Sequence, residues 1–290
     1  MNRFDISEIS KPLIVAPMAG GPSTPQLAAA AVNLFVPQPS AGTQRQYTEY
    51  AKALAPEAQR YGVRIGTPRD DDDGWAAKLL VVSDMRPAVV SFTFGLPSEQ
   101  ICSRLHSSGI LLFASVTTVA EAKMAVARGI DALIVQGPAA GGHRATFDPA
   151  APPCDTPLLQ LLTAICVDAD VPVVASGGLA TAAQLGTAFL LADEAGTHPT
   201  HRAALRDEAF AETIITRAFT GRYARALRNR FVDRYGMQAP FGFPQIGLVT
   251  APLHSAAGEA DDPHGMALLA GTSFRQARNG SVAEIVRSLT

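Results

Sequence analysis

His143 closes the segment Asp131-Ala-Leu-Ile-Val-Gln-Gly-Pro-Ala-Ala-Gly-Gly-His143. An imidazole titrates near neutral pH, which makes it the side chain best suited to moving protons there. The apolar run Ala132–Gln136 that precedes it suits an interior strand of a parallel sheet. Gly141 and Gly142 would let the backbone approach a planar ligand. His143 is therefore expected at the carboxyl end of a strand, where α/β folds place their chemistry. On spacing alone, a solvated histidine on a surface loop is an equal alternative.

Three further groups bear on a ligand. Val173-Val-Ala-Ser-Gly-Gly-Leu179 reads as a strand ending in a glycine pair, and Gln184-Leu-Gly-Thr-Ala-Phe189 as a glycine-threonine turn. The loops after the last two strands of a barrel commonly form a phosphate site. Backbone N–H groups of Gly177, Gly178, Gly186 and Thr187 would bind phosphate without a lysine. The turn Ala16-Pro-Met-Ala-Gly-Gly21 would lay Met18 against an aromatic ring system, or simply bury it. Asn33 and Gln136 stand among apolar neighbours, and a buried amide needs partners. Those partners are internal groups or the mixed donor and acceptor edge of a flavin. Two amides, a phosphate site and an apolar turn together favour flavin mononucleotide (FMN). There is no G-x-G-x-x-G fingerprint for a dinucleotide and no G-x-S-x-G elbow for a hydrolase. His198 and His201 lack a third ligand at metal spacing, so no metal is expected. His106, His254 and His264 read as solvated.

The 290 residues, 47% hydrophobic and 17% charged, allow a sizeable core. A net charge of −2 without a basic stripe argues against nucleic acid. Cys102, Cys154 and Cys166 show no paired spacing, as expected for free thiols in a reducing cytoplasm. The first residues lack the apolar core of a signal peptide, and no apolar run is long enough to span a membrane.

The elements that must position these residues alternate between β and α. Strand-like runs fall at Leu13–Ala16, Val32–Val36, Ala88–Phe94, Ile110–Val116, Ala132–Gln136, Val171–Ser176 and Thr187–Leu191. Between two of them, Thr118 and Glu121 mark a capping box and Gly129 a C-terminal cap. This pattern predicts a TIM-type (β/α)8 barrel, an α/β fold. Residues 195–263 read as a helical subdomain over the barrel mouth, because Phe210, Ile214, Phe219, Tyr223, Leu227 and Phe231 recur at helical spacing. The barrel itself would comprise residues 1–194 and 264–290. Asp70–Asp73 reads as the solvated start of a helix, Tyr61–Gly66 as a loop-side strand, and Ser281–Glu284 as the capping box of a closing helix.

The chain resembles the nitronate monooxygenases, once called 2-nitropropane dioxygenases. The motifs are Ala-Pro-Met-Ala-Gly-Gly (16–21), Val-Asn-Leu-Phe-Val-Pro (32–37), Val-Gln-Gly-Pro-Ala-Ala-Gly-Gly-His-Arg (135–144), Ala-Ser-Gly-Gly (175–178) and Gln-Leu-Gly-Thr-Ala-Phe (184–189). Ser-Phe-Thr-Phe-Gly-Leu-Pro (91–97), Asn-Arg-Phe (229–231) and Ala-Gly-Thr (270–272) also fit, in order along nearly the whole chain. The resemblance implies an FMN-dependent barrel that oxidises alkyl nitronates, and by extension nitroalkanes, with O2. It implies FMN contacts from Met18, Asn33, Gln136, Gly141, Gly178, Gln184, Leu185, Gly186 and Thr187. His143 would be the active-site residue, a base when neutral or a nitronate-binding cation when protonated. The expected partners are a small nitronate and O2, with no nucleic acid or membrane, and a homodimer is compatible with this reading. A related FMN-dependent enoyl reductase, an NAD(P)H:quinone reductase and a non-catalytic flavin-binding barrel are the alternatives.

Two departures stand out. Relatives carry a strand-helix segment before the Val-Asn-Leu-Phe strand, whereas here Pro25-Gln-Leu-Ala-Ala-Ala-Ala runs straight into Val32. Between Ser176 and Thr187 there is also less chain than a helical crossover normally uses. The barrel is therefore expected to lack one strand-helix segment and one crossover helix. Either the physical chain holds further residues at these points, or the barrel is rearranged.

Overall fold

The computed structural model describes residues 14–15, 18, 31–178 and 184–289, with only the backbone of Ile14, Val15, Ala31 and Gln184. The Pro-Met turn other than Met18, and the Pro25–Ala30 stretch, lie outside these residues. The strands are β1 (Ile14–Val15), β2 (Ala31–Phe35), β3 (Val89–Thr93), β4 (Leu111–Val116), β5 (Ala132–Gln136), β6 (Gly142–His143), β7 (Val173–Ser176), β8 (Gln184–Leu185), β9 (Thr213–Thr216) and β10 (Ala224–Leu227). The helices are α1 (Gln44–Ala53), α2 (Ala55–Tyr61), α3 (Trp75–Met85), α4 (Glu99–Ser107), α5 (Val119–Ala127), α6 (Leu158–Cys166), α7 (Pro199–Ala204), α8 (Arg230–Tyr235), α9 (Gln245–Glu259) and α10 (Val282–Leu289).

Seven strands form one parallel sheet in the order β1-β8-β7-β5-β4-β3-β2. This is the strand order of a (β/α)8 barrel, read from β1 round to β2. The last strand has returned to pair with the first, Ile14 with Gln184 and Val15 with Leu185. Among the described residues no strand joins β1 to β2. Ser176 of β7 pairs directly with Gln184 of β8, too few residues on for an ordinary crossover helix.

Side-chain alternation divides the sheet into two faces. Leu34, Val90, Phe92, Leu112, Ala114, Leu133 and Val135 pack outward in one core with Leu79, Val82, Leu105, Ala125, Leu161 and Ile165 of the surrounding helices. Removing one such ring, as in Phe92→Ala, costs about 3–5 kcal/mol. The opposite face is apolar at its base, where Phe113, Ala132, Ile134 and Val174 cluster. Towards the carboxyl ends it turns polar, with Asn33, Thr93, Ser115, Gln136 and Ser176 all lining a cavity.

Several local expectations hold. Thr118 caps α5 through the Glu121 N–H at 3.1 Å, and Gly129 follows with φ +82°. Ser281 and Glu284 cap α10 reciprocally, at 2.8 Å and 3.3 Å. The Glu121 side chain does something else. One oxygen accepts from the Thr117 N–H at 2.6 Å and the other from the Phe147 N–H at 2.7 Å. It thereby ties the chain beyond His143 to the sheet.

Other expectations are corrected. Thr187–Phe189 is a 3-10 turn, not a strand; the last strand is β8, because that segment can pair with both β1 and β7. The helical spacing across Phe210–Phe231 is coincidental. Ile214 lies in β9 and Leu227 in β10, an antiparallel pair, and only Phe231 lies on a helix. Residues 195–263 thus combine α7, α8 and α9 with that hairpin. Residues 62–74 between α2 and α3 contain no strand. His254 is not solvated: its ring packs on Phe219 and Phe231, and Nδ1 donates to the Gly265 carbonyl at 2.7 Å.

Candidate active site

His143 lies in a second sheet and is tied back to the strand that precedes it. After β5 the chain turns through Gly137–Gly141 and forms β6, which pairs antiparallel with β10, Ala224 opposite His143. Arg144 extends the pairing, its N–H donating to the Tyr223 carbonyl at 2.7 Å. Gln136 fixes the turn from the sheet side. Its Nε2 donates to the His143 carbonyl at 2.9 Å and its Oε1 accepts from the Ala145 N–H at 2.9 Å. Gly141 serves the same fold. A Cβ there would stand 2.4 Å from the Gly271 nitrogen and 2.6 Å from the Ala270 carbonyl carbon. Its missing side chain therefore admits the Ala270–Gly271 backbone, and the same residue lines the cavity.

The imidazole is half-buried and faces a cavity of about 1140 Å3. Nε2 lies 2.9 Å from Thr220 Oγ1. Phe94, Phe243 and Phe35 present their rings to it with centroids at 5.7, 5.4 and 6.5 Å, all edge to face. Phe94 has φ +77°, a left-handed backbone that is rare and costly for a bulky residue. Its buried ring carries the Arg222 guanidinium 3.8 Å from its centroid. Desolvation first, and the charge of Arg222 second, push the His143 pKa down to about 3. The imidazole is therefore neutral at physiological pH.

Arg222 and Arg144 are themselves sealed, each 1% exposed. They lean on carbonyls rather than carboxylates: Arg222 on Thr146 and Arg144 on Gly137. Burial lowers both to about 10, which leaves them cationic. Two positive charges thus sit behind the histidine wall.

In the same cavity, Asn33 Oδ1 accepts from Ser91 Oγ at 2.9 Å and Thr93 Oγ1 at 3.0 Å. Its Nδ2 makes no hydrogen bond to a described residue and remains a donor. Gly178, Leu185, Gly186, Thr187 and Met18 line the same cavity. The N–H groups of Gly177, Gly178, Gly186 and Thr187 have no acceptor among the described residues. Thr187 Oγ1 accepts from the Gly271 N–H at 2.9 Å. Among the described residues, no three His, Cys, Asp or Glu side chains converge as a metal site would require.

The nitronate monooxygenase family model matches residues 31–290. A nitronate monooxygenase of Paraburkholderia phytofirmans is 34% identical over 277 positions, covering 77% of this chain and 75% of the relative. The chain belongs to the nitronate monooxygenase family. It is an oxidoreductase. A probable nitronate monooxygenase of Bacillus subtilis is 26% identical over 326 positions, covering 95% of this chain and 92% of its own. That alignment is longer than the 290 residues here, so the relative holds residues with no counterpart in this chain. The solved nitroalkane oxidase of Streptomyces ansochromogenes superposes with a TM-score of 0.93 at 38% identity, over 98% of this chain and 96% of its own.

The structure gathers the residues singled out in this family member around one cavity: Met18, Asn33, Gln136, Gly141, His143, Gly178, Leu185, Gly186 and Thr187. Of Gln184 only the backbone is described, in β8 beside Ser176. The sequence did not reveal Thr220, Phe35, Phe94, Phe243 or Arg222. The polar positions Ser91 and Thr93 in an apolar strand, in phase with Asn33, were the one available signal.

Proposed function

We propose that this chain is an FMN-dependent nitronate monooxygenase that oxidises alkyl nitronates, and nitroalkanes after deprotonation, with O2. The observation that supports the reading is His143, ringed by Phe35, Phe94 and Phe243, in one cavity with Gly177, Gly178, Gly186 and Thr187, whose N–H groups have no acceptor among the described residues. FMN suits these residues. The N–H groups of Gly177, Gly178, Gly186 and Thr187 would hold a phosphate. Asn33 Nδ2 would donate to an acceptor on the ring edge, and Met18 would lie against the ring. Bound flavin would supply the electron chemistry, taking electrons from the nitronate and returning them to O2.

The protein's own residues prepare the substrate. Neutral His143 accepts the α-proton of a nitroalkane. Phe35 and Phe243 enclose its alkyl end and exclude water. Arg222 and Arg144 place positive potential where the nitronate charge develops, without touching it. Gln136 spends both ends of its amide on the His143 turn, so its task in the site is to set the position of the histidine. The three unpaired cysteines suit a reducing cytoplasm. The test is O2 uptake by FMN-loaded protein with propionate 3-nitronate and nitroethane. No uptake with any of several nitronates would end this reading.

A further inference from the structure

We propose that Thr220 fixes the tautomer of His143, holding the proton on Nε2 and leaving the Nδ1 lone pair to take the substrate's α-proton. This rests on the function proposed above. Among the described residues Thr220 Oγ1 has two hydrogen-bond partners, His143 Nε2 at 2.9 Å and the Arg222 carbonyl oxygen at 3.4 Å. A hydroxyl has one proton to give. A carbonyl can only accept, and the Arg222 carbonyl has no other donor among the described residues. If the hydroxyl donates to that carbonyl, its lone pair must accept from Nε2–H. The opposite arrangement, with the hydroxyl donating to Nε2, leaves the carbonyl unpaired and puts a proton on Nδ1. An imidazole of that tautomer shows the cavity a donor and cannot take a proton there.

The surroundings make the choice firm. Nδ1 has no hydrogen-bond partner among the described residues, nor is it among the sealed polar atoms. The rings of Phe35, Phe94 and Phe243 around the imidazole offer no competing acceptor. Thr220 itself is held still. It ends a turn in which the Gly221 N–H donates to the Arg217 carbonyl at 2.8 Å. Gly221, at φ +74°, packs against the Gly242 backbone where a Cβ would approach to 2.6 Å. A β-branched side chain also has little χ1 freedom. The hydroxyl is thus presented to Nε2 by the backbone.

The step itself is a proton transfer. The α C–H bond of the nitroalkane breaks, its electron pair becomes part of the nitronate C=N bond, and the proton passes to Nδ1. The imidazole then carries protons on both nitrogens, with Nε2–H still donating to Thr220. A preformed nitronate needs no such step. Thr220 is therefore a positioning residue for nitroalkane turnover above all.

The test combines spectroscopy with a substrate ratio. In FMN-loaded protein with 15N-labelled histidine, two-bond 15N–1H correlation spectra report each tautomer, and the His143 signals are those lost in His143→Ala. Wild type is expected to show the Nε2–H form, Thr220→Val a mixed or Nδ1–H form, and Thr220→Ser the wild-type form. The kcat/KM ratio of nitroethane to its nitronate is expected to fall roughly 100-fold in Thr220→Val and to recover in Thr220→Ser. An Nδ1–H form in the wild type overturns the proposal. So does a Thr220→Val protein with both tautomer and ratio unchanged. Absence of nitronate turnover in the wild type would instead overturn the proposed function, with the spectra still deciding the role of Thr220.

Discussion

Gln136 and His143 are joined by a hydrogen bond of 2.9 Å from the Gln136 amide to the histidine's carbonyl oxygen. The other end of the same amide accepts from the Ala145 N–H, so one side chain of the parallel sheet brackets the His143 turn. Gln136→Leu removes both bonds and leaves two backbone groups without these partners. A loss of about 2–6 kcal/mol follows if each orphan costs 1–3. Thermal denaturation should show the lower stability, and O2 uptake should show kcat falling more than KM rises.

His143→Ala should abolish nitroalkane oxidation and spare part of the activity on preformed nitronates, read in the O2 electrode. In the wild type the pH profile carries the second half of this prediction. The base is the neutral form, present above the pKa of about 3 and lost as pH falls through it. The kcat/KM for nitroethane should therefore show no histidine inflection between about pH 5 and 8. An acid limb near the ordinary histidine value of about 6.5 would contradict the enclosure of the ring.

Stability should depend on pH through His143, His201 and His254, held at about 3, 4 and 4 chiefly by burial. His201 is 7% exposed, and Nε2 of both His201 and His254 lacks a partner among the described residues. Between about pH 4 and 6.5 the unfolded chain binds protons at these sites and the folded chain does not, so stability rises with pH. Lowering pH from 7 to 5 should cost on the order of 2 kcal/mol per histidine. Denaturant midpoints across that range measure it, and His201→Phe should flatten the slope.

Asn33 is satisfied on its oxygen side by Ser91 and Thr93, which commits its nitrogen to the cavity. Asn33→Leu should weaken FMN binding roughly 3- to 10-fold, the value of one neutral hydrogen bond. Fluorescence titration with FMN reads it.

Much of this arrangement was legible in the residues. β2, β3, β4, β5 and β7 are short apolar runs between turn signals, and their alternation sends Asn33 and Gln136 to the same face. The Gly-Gly-His loop was visible for similar reasons. The hairpin was not. Ala-Arg-Ala-Leu of β10 is made of helix formers, and pairing with β6 and β9 overrides that preference. Thr220 was invisible because it meets His143 across 77 positions of sequence, and no local pattern marks such a contact. Gly141 was recognised as a cavity residue, but its second relation was not. Its small size answers Ala270 and Gly271, a packing relation that only three dimensions display.

The central claim is that a flavin held in this cavity is reduced by nitronates. The most direct test is anaerobic mixing of the FMN-loaded protein with propionate 3-nitronate, and separately with NADH and NADPH, followed by absorbance of the flavin. Rapid bleaching by the nitronate, with recovery of colour on admitting O2 and none of this by the nicotinamides, is the predicted result. Rapid reduction by NADH or NADPH while nitronates leave the spectrum untouched would contradict it.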